Sequence, residues 1–158
     1  MFRPMRRKKN EICEEAAKEL LKTARRGVLS VIGDDGYPYV IPINYWYDED
    51  RGRIYFHGAK VGHKVDAIKA CDKVCFTVYG NETVKDEAWA PYLQSVVIFG
   101  RCRLLTEPDE ILANLKAFAT KYFPSETMVN EEAARSEKTV QMFEITIEHM
   151  SGKEVQEK

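Results

Sequence analysis

Several things are scarce in this sequence, and each scarcity removes a class of function. Neither sign of charge dominates: 24 Lys and Arg stand against 25 Asp and Glu among 158 residues, a formal net charge of -1. No overall field therefore draws the chain onto nucleic acid or an anionic membrane, and a small-molecule partner is expected. Long apolar runs are missing too; stretches such as Val96 to Phe99 fall far short of the roughly 20 residues that span a bilayer. The start of the chain has no signal-type apolar region, so a cytoplasmic protein is expected.

The four cysteines, Cys13, Cys71, Cys75 and Cys102, form no CxxC pair and no zinc-ribbon spacing, and read as reduced residues packed like small hydrophobes. The three histidines, His57, His63 and His149, are joined by no carboxylate cluster, so no metal centre is expected. There is no GxGxxG and no Walker motif, which argues against classical dinucleotide and nucleoside triphosphate sites. No Ser or Cys sits in a nucleophile elbow, so hydrolase chemistry is not indicated.

What is present reads as one domain, with a mobile basic arm over residues 1–10, a body over 11–150 and a tail over 151–158. Ile12, Ala16, Leu20 and Ala24 recur at helical spacing between Glu11 and Arg25, with Gly27 as the stop. The period then changes to two: Val28 to Ile32, hairpin chemistry at Asp34-Asp35-Gly36, and a strand from Tyr37 to Tyr47 with Tyr37, Tyr39, Ile41, Ile43, Tyr45 and Tyr47 on one face. Further strands are predicted over Arg53 to His57, Val74 to Tyr79, Ser95 to Leu105 and Val140 to Met150, with Phe143, Ile145 and Ile147 of the last facing inward. Helices follow Gly62, built on Val65, Ile68 and Cys71, and follow a capping box at Thr106 to Asp109, with a stripe of Ile111, Leu115, Phe118 and Tyr122. Gly80 to Leu93 reads as an irregular connection and Pro124 to Lys138 as a polar loop. Six strands and three helices without regular alternation predict a mostly β protein with flanking helices (α+β), a six-stranded antiparallel barrel rather than a doubly wound sheet.

Two features stand out from ordinary core strands. Pro38 and Pro42 lie four apart on one strand; proline cannot donate to a ladder, so the strand belongs at an edge or bulge, where unpaired backbone can meet a ligand such as the pyrimidine end of a flavin. The same prolines would equally protect a plain edge strand from aggregation. The second feature, Gly58-Ala59-Lys60-Val61-Gly62-His63-Lys64, sits after a strand and before a helix, and its small residues, free helix N–H groups and cations make it either a phosphate site or a solvated surface turn.

Taken together, GVLSVIGDDGYPYVIPINYWYD, IYFHGAKVGHKVDAIKACDKVCFTVYG and SVVIFGRCRLL resemble the FMN-binding split barrels of the pyridoxamine-phosphate-oxidase-like superfamily, closest to the nitroimidazole-resistance branch. The resemblance covers roughly residues 11–149. It implies a homodimer with FMN between the subunits, Pro42, Ile43, Asn44 and Tyr45 bordering the ring, and His57, Gly58, Ala59 and Lys60 lining ring and ribityl chain. It further implies His63 and Lys64 on the phosphate, Ser95 and Val96 closing the other side from the partner chain, Trp89 and Tyr92 as caps, and His57 as the catalytic proton donor or substrate contact. The sequence departs from true pyridoxamine phosphate oxidases in ending at HMSGKEVQEK, without their substrate-binding arginines, which turns the expectation from vitamin B6 chemistry to an oxidoreductase passing electrons from a reduced pyridine nucleotide to a small acceptor, with nitroaromatics as the family-based class. The alternative is a non-catalytic FMN- or haem-binding protein, with one of the histidines as an axial ligand.

Overall fold

The computed structural model describes residues 1–84, 86–87 and 91–155, and in it the period-two segments become β1 (Arg26–Ile32), β2 (Pro38–Asn44), β3 (Trp46–Asp48), β4 (Arg53–Gly58), β5 (Lys73–Thr83), β6 (Tyr92–Leu104) and β7 (Gln141–Val155). The α-helices among these residues are α1 (Glu14–Thr23), α2 (His63–Ala70), α3 (Pro108–Tyr122) and α4 (Glu126–Ser136). All strand pairs are antiparallel, in the order β2-β1-β5-β6-β7-β4-β3.

That order contains the key to the fold. β2 and β3 are consecutive in the chain yet stand at opposite edges of the sheet, with Tyr45 alone between them. One residue spans only about 3.5 Å, so the sheet must curl until its two edges meet. The curled sheet agrees with the expected barrel, but it has seven strands rather than six. The segment from Tyr37 to Tyr47 is not one strand because Tyr45 crosses the seam, although its inward alternation with Ile43 and Tyr47 continues unbroken.

Tyr45 is wholly buried, its ring edge-on to Phe76 at 5.0 Å and its hydroxyl donating to the Leu21 carbonyl. Its N–H donates to the Tyr122 hydroxyl at 2.9 Å, whose own proton serves the carbonyl of Arg25 (2.6 Å) or Tyr45 (2.8 Å). Lys121 donates to the Ala24 carbonyl and lies over the Tyr45 ring at 3.7 Å. The C-terminal turn of α3 thus fastens the seam.

Inward residues of the strands, among them Leu29, Phe56, Phe76, Val96, Ile98, Phe143 and Ile145, form the main core with Leu20 and Leu21 of α1. A second cluster of Tyr55, Leu105, Leu115, Ala133 and Met142 lies beneath α3 and α4. Between the two, Glu144 is buried and fully engaged: Tyr55 donates to it at 2.7 Å and Arg103 at 2.8 Å, with Arg53 at 3.7 Å. Burial raises its pKa, but these partners outweigh that and hold it below the usual carboxylate range.

Over β2, β1, β5 and β6 the outer face of the sheet mixes apolar and small polar residues and is only partly covered, by Phe2 at Phe99 and His149. Register aligns Val40, Ser30, Cys75, Phe99 and His149 in one row and Pro42, Val28, Thr77, Val97 and Ser151 in the next, and Val40 and Phe99 are 54% and 41% exposed.

Several sequence expectations are corrected. The predicted polar loop after Pro124 is largely helix α4, capped by Ser125, whose Oγ accepts the Met128 N–H; only Val129 and Ala133 of it are buried, too few to show a stripe. The capping box does not form, because α3 starts at Pro108 with Glu107 as a cap that makes no side-chain bond. β5 and β6 extend into the expected connection, and β7 runs on into the predicted tail, to Val155. The basic arm packs rather than dangling: Phe2 stacks on His149 at 4.8 Å and Phe99 at 5.6 Å, and Asn10 donates to the Glu154 carbonyl. No helix among the described residues is long and apolar enough to cross a membrane.

Candidate functional site

Curling the sheet brings the end of β2 to the end of β4, so Asn44 and His57, far apart in the sheet order, line one small pocket at the seam with Leu115, Phe118, Ala119, Tyr122, Phe123 and Glu132. Among the described residues β2 pairs only with β1, so Pro38 and Pro42 do stand on an edge strand, where their missing N–H groups cost no ladder bond. The side chains of Ile43 and Tyr45 are buried in the core, Ile43 is paired with Gly27 in the ladder and the Tyr45 N–H is taken by the Tyr122 hydroxyl, so Pro42 and Asn44, both exposed, are what this edge can offer a ligand.

From β4 the chain passes through Gly58, Ala59 and Lys60 to Gly62, whose φ of +132° is in the range glycine alone adopts cheaply. Gly62 caps α2, and the space around its Cα is open. The first turn of α2 therefore presents N–H groups to an approaching anion, though Asp66 in that turn is acidic. Lys60 is exposed at the same turn.

Lys64 points inward. A Cβ on Gly58 would come within 2.7 Å of its ammonium, so this glycine makes the room the lysine uses. The ammonium lies 5.5 and 5.3 Å from the rings of Phe56 and Phe143 and, among the described residues, forms no ion pair. Burial pulls its pKa below the ordinary lysine value, offset in part by the Cys102 thiol. Cys102 itself is a core group whose thiol is pushed up to about 12, mainly by burial, and is no nucleophile.

His57 stands edge-on to Phe118 at 4.7 Å. Part of the residue is open to solvent, yet burial of the ring, and next the charge of Lys64, hold its pKa below the usual histidine value. His63 is oriented differently: it stacks on Tyr39 at 4.2 Å, and its Nε2 accepts the Asp34 N–H at 3.3 Å. It is tied to the β1–β2 turn, which leaves Nδ1 for any ligand at α2.

Ser95 and Val96 lie across the sheet in β6. Val96 is wholly buried in its own core, while Ser95 is partly exposed on the outer face beside Tyr79 and Lys153. Tyr92 begins β6, and Trp89 lies outside the described residues. No group of three His, Cys, Asp or Glu among the described residues could hold a metal. The contribution of α3 and α4 was not foreseen: Phe118 and Tyr122 read as core stripe, and only their one-turn aromatic spacing near a helix end could have drawn attention.

The comparisons with known proteins fit this geometry. In fold the chain is similar to a candidate 5-nitroimidazole antibiotic resistance protein from Bacteroides thetaiotaomicron, at 17% identity and a TM-score of 0.77, over 91% of this chain and 86% of that one. It is similar to a FAD-binding protein from Mesorhizobium loti at 22% identity and a TM-score of 0.65, over 92% and 97%. It also resembles a FAD and heme binding protein from Mycobacterium smegmatis at 18% identity and a TM-score of 0.73, over 92% and 72%. No curated protein matches the sequence. The family model described as pyridoxamine 5'-phosphate oxidase matches residues 14–154, nearly the whole described body, and the chain belongs to that family.

Proposed function

We propose that this protein is an FMN-dependent oxidoreductase that passes electrons from a reduced pyridine nucleotide to a small acceptor, with nitroaromatics the first class to test. The observation that carries the reading is Lys64: a half-buried cation with no carboxylate partner among the described residues, beside an open helix N-terminus, is an arrangement that an anion completes. The donor set of Lys60, Lys64, the first N–H groups of α2 and Nδ1 of His63 suits a phosphomonoester, and the glycines at 58 and 62 leave it room. FMN is the family's cofactor, and the related folds described as FAD-binding and as FAD- and heme-binding support a flavin.

Bound there, FMN supplies the redox chemistry. The chain's own residues position and insulate. The Pro42 carbonyl and the Asn44 backbone offer acceptors and a donor at the β2 edge, beside Ile43 and Tyr45. Asn44 and His57 face the pocket at the seam, where His57, kept neutral at pH 7 by burial and Lys64, holds one ring N–H toward an acceptor. The partly open outer face around Val40, Pro42 and Val97, beside the stretch that Phe2 covers, is the natural seat of a second copy, from which Ser95 would reach the cofactor.

The visible spectrum of the purified protein, before and after anaerobic addition of reduced nicotinamide, tests this. Flavin bands that bleach are expected. A Soret band would instead favour the haem reading, which the heme-binding neighbour keeps in view and for which His57 is the freest ligand. A colourless protein that ignores added FMN would overturn the site.

A further inference from the structure

We infer that the pocket closed by α3 and α4 against the seam is the acceptor subsite, and that it takes one uncharged aromatic or heteroaromatic ring bearing a hydrogen-bonding substituent; its role as acceptor site rests on the flavoprotein reading above. The pocket measures about 140 Å³. A buried apolar cavity of about 150 Å³ holds a benzene ring, so the space here suits one ring and is too small for two fused ones. Leu115, Phe118, Tyr122 and Phe123 supply apolar and aromatic walls, with Phe118 and Tyr122 4.9 Å apart and tilted by 34°.

The polar groups sort themselves. The Tyr122 hydroxyl is committed to the seam. Both carboxylate oxygens of Glu132 are engaged, one by Ser136 at 2.7 Å and the other by Arg135, so Glu132 offers a cation no free charge. The Asn44 amide and the His57 imidazole, by contrast, make no hydrogen bond among the described residues. Both line the pocket, and together they offer a donor and an acceptor to one substituent on the ring. A ligand with a formal charge finds no free counter-ion among the lining residues and pays desolvation, while a neutral ring with a carbonyl, amide or nitro group is matched on both sides.

The probe is para-fluorobenzamide, an unreactive single ring with an amide edge, and its control is a fluorinated naphthalene carboxamide; binding is followed by fluorine NMR on the FMN-loaded protein. Ala119→Leu fills the pocket from its buried wall, and Phe123→Trp fills it from the half-buried rim, where folding is less at risk. Saturable binding of the single ring, exclusion of the double ring, and weakening by at least about tenfold in whichever filled variant keeps its flavin spectrum are expected. Absent binding, equal binding of the double ring, or unchanged affinity in the filled variants overturns the subsite while leaving the flavoprotein reading intact. A protein that takes up no FMN yet binds the ring, and loses it on filling, overturns the acceptor role and the flavoprotein reading together.

Discussion

Two polar clusters flank the same β4–β7 ladder, and they are built on opposite principles. At the register pair Tyr55 and Glu144, a buried carboxylate is satisfied by a hydroxyl and two guanidinium groups. Two residues along, near His57 and its partner Met142, Lys64 sits half-buried against two aromatic rings with no ion pair among the described residues. The first closes on itself and gives the sheet a fixed register. The second is left incomplete, and the nearby His57 likewise makes no hydrogen bond among the described residues; on the proposed reading a ligand completes it. Residue type alone would not separate them, since each holds charged and aromatic side chains; the difference lies in whether the polar groups already have partners.

The largest expected effect breaks the closed cluster. Glu144→Ala strands the buried Tyr55 hydroxyl and removes the counter-charge of Arg103, and should cost about 3 kcal/mol of folding stability in urea titrations. Lys64→Ala breaks the open cluster with the opposite signature: flavin retention falls by about thirtyfold, from the loss of roughly 2 kcal/mol of charge-assisted bonding, while the urea midpoint holds or rises. Full flavin in purified Lys64→Ala would remove the distinction between the clusters.

Smaller effects appear on acidification. Glu144 has a folded pKa below its unfolded value, so its contribution is present above the unfolded value and is lost as pH falls through the folded one. Glu144→Ala should therefore show a shallower loss of stability below the usual carboxylate range. His57, a base with a lowered folded pKa, takes its proton first in the unfolded chain, so stability declines as pH drops below about 6.5. Removing Lys64 relieves the second cause of that shift and leaves burial, the first. The imidazole should then titrate higher in Lys64→Ala but remain below an exposed histidine, as read by proton NMR.

How far the sequence carried these conclusions depended on whether a constraint was local. Pro38, Pro42 and Gly62 impose their demands on the backbone directly, so the edge strand and the turn before α2 were legible, and so was most of the sheet's inner face. The break at Tyr45 was not, because Ile43, Tyr45 and Tyr47 all point inward and the alternation gives no sign that the chain changes edges. Helix α4 escaped notice because two buried residues make no period. The seam pocket could not be seen at all, since Asn44, His57 and Phe118 meet only after the sheet has closed. Likewise, that His63 turns back onto Tyr39 and Asp34, while Lys64 turns inward, is decided by packing that neighbouring positions in sequence do not reveal.

The single-residue passage at Tyr45 has a consequence for assembly. Gly58 pairs with Gln141 and Tyr55 with Glu144, so the edge carrying His57 is completed only when the last strand of the chain arrives, whereas β1 and β2 form a local hairpin. Ladders between such distant segments are the slow ones. The two halves of the pocket thus belong to an early and a late part of folding, joined by one peptide, and a chain circularly permuted at Tyr45 would keep every ladder while losing the tether that forces the late half onto the early one.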